Sequence, residues 1–226
     1  MDPERITEVV AIDGPAGAGK STAARRLAKL LGFAFLDTGA MYRAATWRAL
    51  EQGVDLNDQA ALTRSTRQMD LHMDESDGKQ AILVDGHDVT EAIRSREVTR
   101  EIHRLDSIAD VRAHLVELQR RQAAIRPTVA EGRDMGTVVF PNAKCKIYLE
   151  ASLDERARRR FEELRSKGIE VDFQSLRDEI EVRDRKAMTR AASPLRPAGD
   201  AARIDTTHLT LDQVVEKMAA LARSVF

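Results

Sequence analysis

The 226-residue chain carries 36 lysine and arginine residues against 37 aspartate and glutamate, a formal charge of −1, with 42% hydrophobic and 32% charged residues. That length suits one domain with a substantial core, and the balanced charge excludes the cationic surplus of a general nucleic-acid binder, so any anion site must be local. A single cysteine, Cys145 at the start of an apolar run, excludes an intrachain disulfide and a cysteine-rich metal site and reads as packing.

Met1 to Thr7 is charged and lacks the apolar core of a signal peptide. No later run approaches the roughly 20 apolar residues needed to span a bilayer, so the expectation is a cytoplasmic protein with no membrane partner. Val9 to Ile12 read as a strand ending at a glycine-rich turn, and Ser21 to Leu31 as a helix with Leu27, Leu30 and Leu31 at helical spacing. Gly32 stops that helix; Phe33 to Leu36 reads as a second strand and Ala40 to Gln52 as a second helix. Between 71 and 94 the apolar residues alternate around a turn at Asp77-Gly78, which predicts an appended hairpin. Val98 to Ile125 is helical and polar, with a break near Asp110, and Pro127 ends it before the strand Thr128 to Ala130. Lys146 to Leu149 predicts another strand.

Ser152 and Glu155 have capping-box spacing and open an arginine-rich helix whose Leu153, Ala157, Phe161 and Leu164 share a face, closed by Gly168. A helix over about 173–188, a Pro/Gly stretch at 194–199, the strand Ala202 to Ile204 and a last helix boxed by Thr210 and Gln213 complete the chain. Short strands alternating with helices predict an α/β fold with a mostly parallel sheet covered on both faces and ligands at the carboxyl ends of its strands.

Gly14-Pro15-Ala16-Gly17-Ala18-Gly19-Lys20-Ser21 fits GxxxxGK[ST] directly after a strand and opening a helix, with Thr22 in the first turn. Glycines let the backbone curl its N–H groups around phosphate oxygens, and the helix N-terminus adds favourable partial charge. Lys20 is expected to reach the β- and γ-phosphates and Ser21 to ligate Mg²⁺, so ATP with Mg²⁺ is the expected donor of a P-loop NTPase fold. The loop alone does not separate kinases from GTPases and motors. The chain has no Asn-Lys-x-Asp for guanine and no apolar strand ending in Asp-Glu. Its small size suits a phosphotransferase.

Further stretches run from Leu36-Asp37-Thr38-Gly39-Ala40-Met41-Tyr42-Arg43 through Gly86-His87-Asp88-Val89-Thr90 with Ile93-Arg94 to Glu131-Gly132-Arg133-Asp134-Met135-Gly136, and from Arg183-Asp184 through Arg190 to Pro194-Leu195. With these the chain resembles bacterial cytidylate kinases over nearly its whole length. The resemblance implies one domain over 1–226. Its core would take about 1–65, 98–150 and 200–226, with an acceptor-binding insertion over about 66–97 and arginine-rich helices and a lid over about 152–198. It implies transfer of the γ-phosphate of ATP to CMP or dCMP by a monomeric enzyme that binds no nucleic acid.

By the same resemblance Arg43 and Arg133 clamp the acceptor phosphate, with Thr38, Gly39 and Tyr42 shaping the pocket. Arg112 and Asp134 contact the cytosine ring, and Arg183 and Arg190 close over the transferring group beside Lys20. Asp37 is a candidate holder of a magnesium-bound water. A guanidinium offers paired donors matched to phosphate, and a carboxylate can accept from an exocyclic amine. Arg25, Arg26, Arg120, Arg121 and Arg158 read as solvated, whereas Arg156, Arg159 and Arg160 are left open. The sequence departs from the family pattern twice: His103 stands where a small hydroxyl residue contacts the base, and Ala187 where an aspartate holds the ribose. A kinase of another small acceptor, or an ATP-binding regulatory protein without transfer activity, are the alternative readings.

Overall fold

The computed structural model describes residues 8–76 and 79–226, so the segment Met1 to Thr7 and the turn at Asp77-Gly78 lie outside the described residues. Five strands form a wholly parallel sheet: β1 (Val9–Asp13), β2 (Ala34–Asp37), β6 (Thr128–Glu131), β7 (Cys145–Glu150) and β8 (Ala202–Asp205), in the order β2-β6-β1-β7-β8. Every β1 side chain is buried, as expected for a central strand covered on both faces. Alternation then divides the strand: Val9 and Ala11 face one apolar layer, Val10 and Ile12 the other.

The second layer packs against α1 (Lys20–Leu31) and α8 (Leu211–Arg223) through Leu27, Val214 and Met218. Cys145 is buried there, and burial pushes its thiol up to about 11. On the opposite face lie α2 (Thr38–Glu51), α3 (Gln59–Arg67), α4 (Arg96–Asp106) and α5 (Ala109–Ala123). The same core continues through Ile82, Val84, Val89 and Ile93 into a three-stranded antiparallel sheet, β3 (Leu71–Ser76), β4 (Lys79–Val84) and β5 (His87–Asp88). The expected hairpin is thus a three-stranded sheet. Helix α3 is an addition to the sequence reading.

The long polar helical stretch is two helices, with the expected break near Asp110 falling at Ser107-Ile108: Ile108 is extended (φ −84°, ψ 119°) and is the N-cap position of α5. The break leaves Asp106 at the end of α4 and Arg112 in the first turns of α5. After β7, α6 (Leu153–Ser166) and α7 (Phe173–Thr189) pair through Ala157, Leu164, Leu176 and Ile180. Ser152 caps α6, accepting from the Glu155 amide at 3.2 Å, but the expected reciprocal box does not form. Glu155 bonds Arg158 and Arg159 instead, and the Ser152 amide donates to Thr207. At α8 both halves of the Thr210–Gln213 box are present. Among the described residues no helix is long and apolar enough to cross a membrane.

Candidate active site

The carboxyl ends of β1, β2 and β6 carry Asp13, Asp37 and Glu131, and strand register sets Asp37 directly beside Glu131. The glycine-rich loop leaves β1 here. Gly14 has φ +149°, and a Cβ on it would stand 2.0 Å from the Leu149 carbonyl oxygen, so the loop can pass β7 only as glycine. Gly19, in the left-handed region, turns the chain into α1. Lys20 curls back to donate to the Pro15 carbonyl at 2.8 Å. Burial lowers the Lys20 pKa to about 8, with Arg133 and Arg183 opposing its charge and Glu131 and Asp13 supporting it. Thr22 is exposed on the first turn.

Ser21 donates to Glu131 Oε1 at 2.6 Å. Burial, then the neighbouring Asp37 charge, raises the Glu131 pKa, while Lys20, Ser21 and Arg43 pull it the other way. Thr38 donates to the Glu131 carbonyl at 2.7 Å, and its hydroxyl faces Gly132 so closely that a Cβ there would stand 2.7 Å away. Asp37 caps α2 through the Ala40 amide at 2.8 Å and accepts from Arg43 Nη2 at 3.0 Å. That pair runs past Gly39, where a Cβ would lie 3.1 Å from Arg43 Nη1.

Asp13 holds the next piece. Its two oxygens accept from the amides of Met135 (2.7 Å) and Gly136 (2.8 Å), fixing the single π-helical turn Met135–Val139 that follows Arg133 and Asp134. Burial raises the Asp13 pKa to about 7 against those two amides. Arg120 steadies the far end of the turn, donating to the carbonyls of Val139 (2.9 Å) and Val138 (2.8 Å). It is therefore a structural arginine, not the solvated one expected from sequence. Arg25 likewise lies over the Phe35 ring, 5.1 Å from its centroid.

Lys20, Arg43, Arg133, Arg183 and Arg190 converge here. Arg183, on α7, has neither hydrogen bond nor ion pair among the described residues. Burial, then the charges of Arg133 and Arg43, lowers its pKa to about 10. Asp106 stands between Arg133 and Arg190, its Oδ2 3.9 Å from Arg133 Nη1 and 3.8 Å from Arg190 Nη1. Arg190 also donates to the Ser193 carbonyl at 2.6 Å, Ser193 holding φ +52°. Burial and the nearby Arg112 lower the Arg190 pKa.

Beyond the arginines is a buried polar cluster. Arg112 and Asp134 form a buried ion pair; Arg112 also donates to the Asp106 carbonyl at 3.3 Å and lies over Tyr42, 5.4 Å from its centroid. Burial pushes the Tyr42 phenol well up. The Tyr42 hydroxyl, Arg112 Nε and Arg190 Nη2 are buried without a hydrogen-bond partner, as is Arg43 Nε nearer the phosphate loop. Buried polar atoms are nearly always satisfied; among the described residues the Gln119 amide and the Thr137 hydroxyl are also buried without a partner.

His103 is half-buried one turn before Asp106, with its Nδ1 2.7 Å from the Arg100 carbonyl of its own helix. Ala187 lies one turn after Arg183 on α7, which ends at Thr189 before the extended Arg190, and is buried against Tyr148 and Leu195. Of the three arginines left open, Arg160 points outward to Glu163, Arg159 donates to the Thr206 carbonyl at 2.6 Å, and Arg156 is buried against the phosphate loop. Sequence reasoning missed Glu131, Asp13 and Asp106 as site groups. For the first two a signal existed: each is a carboxylate closing an apolar strand.

Residues 10–224 match the family model described as cytidylate kinase. Curated relatives named cytidylate kinase include those of Bacillus licheniformis (47% identical, 92% of this chain and 93% of that protein), Pelotomaculum thermopropionicum (49%, 93% and 94%) and Carboxydothermus hydrogenoformans (48%, 92% and 94%).

Proposed function

Because the chain belongs to the cytidylate kinase family, we propose that it transfers the γ-phosphate of ATP to CMP or dCMP, giving ADP and CDP or dCDP. The observation that carries this reading is the convergence of Lys20, Arg43, Arg133 and Arg183 at the carboxyl ends of the strands beside a separate buried polar cluster of Tyr42, Arg112 and Asp134. Two anionic groups and one base have places to go.

The donor's phosphates lie in the loop Gly14–Ser21 with Lys20 at the β/γ bridge, where the N-terminus of α1 adds its partial charge. Arg43 and Arg133 clamp the acceptor phosphate, Arg190 registers the acceptor beside Asp106, and Lys20 and Arg183 neutralise charge on the group in flight. An oxygen of the acceptor phosphate bonds to the γ-phosphorus as the bond to the β–γ bridging oxygen breaks. The electron pair leaves with ADP. That nucleophile is already ionised near neutral pH, so no general base is required and catalysis reduces to alignment and charge neutralisation. Asp134 accepts from the cytosine amine while Arg112 donates to the ring's acceptors.

Magnesium fits the donor set. Mg²⁺ takes hard oxygen ligands, usually one or two from protein with the rest from phosphates and water. The Ser21 hydroxyl and the Glu131 carboxylate, 2.6 Å apart and with Asp37 adjacent, would hold it, and it would supply charge neutralisation to the phosphates.

A coupled assay with ATP and a panel of CMP, dCMP, UMP and AMP tests the reading. CMP or dCMP should give the highest kcat/KM, with ATP hydrolysis in their absence far slower than transfer. Equal hydrolysis with and without acceptor refutes it.

A further inference from the structure

Arg156 and Asp184 form a buried ion pair that no role above uses, each side chain less than a tenth exposed. Arg156 sits on α6 and spends its donors in three directions. Nη1 pairs with Asp184 on α7 and also donates to the Ala16 carbonyl inside the phosphate loop at 3.0 Å, while Nε donates to the Ala151 carbonyl just after β7 at 3.1 Å. The loop is shaped to receive it. Gly17 has φ +81°, and a Cβ there would stand 3.0 Å from Arg156 Cβ and 3.3 Å from its carbonyl oxygen.

Asp184 immediately follows Arg183, which like Lys20 makes no ion pair among the described residues. Successive helix residues point about 100° apart, so fixing where Asp184 points fixes the rotation at which α7 presents Arg183. Apolar packing already joins the two helices through Ala157, Leu164, Leu176 and Ile180. A buried pair is a poor way to add stability, since packed hydrophobic residues usually do as well without the desolvation cost. What apolar packing cannot supply is a directional link to one loop carbonyl.

We propose that Arg156 and Asp184 are positioning residues that couple the shape of the phosphate loop to the orientation of Arg183. The inference rests on the phosphoryl-transfer reading. Asp184→Asn keeps shape and an acceptor but removes the charge. Misplacement by about 1 Å far from the chemistry can cost on the order of 100-fold, so its kcat should fall 10- to 100-fold while KM for CMP, set in the Tyr42–Arg112–Asp134 cluster, stays within about threefold. Because Asp184 acts through Arg183, the same substitution in an Arg183→Met background should add less than about twofold, the non-additivity expected of groups that act as one unit. Hydrogen exchange of the Ala16–Gly19 amides should quicken in the otherwise folded Asp184→Asn protein. Unchanged exchange in the loop, or equal kcat losses in both backgrounds, overturns the coupling. Wild-type protein that fails to phosphorylate CMP overturns the functional reading instead, and the exchange measurement still decides the coupling.

Discussion

Asp134→Asn is the sharpest test of base recognition. The carboxylate is buried against Arg112 and accepts only, whereas the amide can also donate to the carbonyl that uracil carries where cytosine has its amine. The amide oxygen still accepts, so the loss is the difference between a charge-assisted hydrogen bond (about 1.5–3 kcal/mol) and a neutral one (about 0.5–1.5 kcal/mol), about 1–1.5 kcal/mol. At about 1.4 kcal/mol per decade, kcat/KM for CMP should fall roughly 5- to 12-fold. That for UMP should hold or rise, so the CMP/UMP ratio collapses by at least about fivefold. Arg112 is not stranded, because the Asp106 carbonyl at 3.3 Å and the Tyr42 face remain. Losing its counter-ion still destabilises the fold. At about 2–4 °C of Tm per kcal/mol for a chain of this size, the ratio should be measured well below a Tm determined by calorimetry on the variant itself. A folded Asp134→Asn enzyme with the wild-type CMP/UMP ratio refutes the assignment.

The Lys20 ammonium, with its pKa lowered to about 8, loses its proton as pH rises through that value, so kcat/KM for ATP should fall on the alkaline side of about pH 8. Lys20→Arg should lower the plateau but abolish that limb; a retained limb excludes Lys20 as its source. Gly14→Ala drives a Cβ to 2.0 Å from the Leu149 carbonyl at φ +149°. Overpacking and backbone strain cost about 1–3 kcal/mol each, so Tm should drop by roughly 5–20 °C and KM for ATP should rise; an unshifted melting curve counts against the close approach. Ala187→Asp puts a carboxylate one turn after Arg183 at a position buried against Tyr148 and Leu195, so Tm should fall. In the folded variant the CMP/dCMP ratio of kcat/KM should rise about tenfold, and an unchanged ratio removes Ala187 from sugar discrimination.

The phosphate loop was legible because its constraints are local: eight consecutive residues encode a curled backbone and a helix start. The central strands were legible because burial on both faces leaves continuous apolar runs. Helix α3 was not, because apart from Leu62 its buried face is polar. Thr63 and Thr66 return their hydroxyls to the Gln59 and Leu62 carbonyls, and Arg48 from α2 donates to the Ser65 carbonyl at 2.6 Å, so no apolar period marks the helix. The Asp37–Glu131 neighbourhood arises from β2–β6 register, and the Asp106 contacts from a helix break one turn before Arg112; both join residues distant in sequence. Arg120 and Arg156 show the limit of charge patterning, since a guanidinium whose donors end on backbone carbonyls looks, in sequence, like any solvated one.

The arginines divide by the partners they hold. Arg43 is held by Asp37, Arg112 by Asp134, and Arg133 and Arg190 flank Asp106. A phosphate or base entering there exchanges one acceptor for another, so the net gain in ground-state affinity is smaller than the number of cations suggests, while each guanidinium stays oriented without the full cost of a lone buried charge. Lys20 and Arg183 differ: the first rests on a neutral carbonyl, and neither makes an ion pair among the described residues. They need displace no carboxylate to meet the transferring group. Interactions accelerate the chemical step only when they are stronger in the transition state than in the ground state. Carboxylate-paired arginines therefore suit binding and registration, and the two cations without an ion pair suit stabilising charge spread over the group in flight. Truncating Arg43 should accordingly act mainly on KM for the acceptor, and truncating Arg183 mainly on kcat.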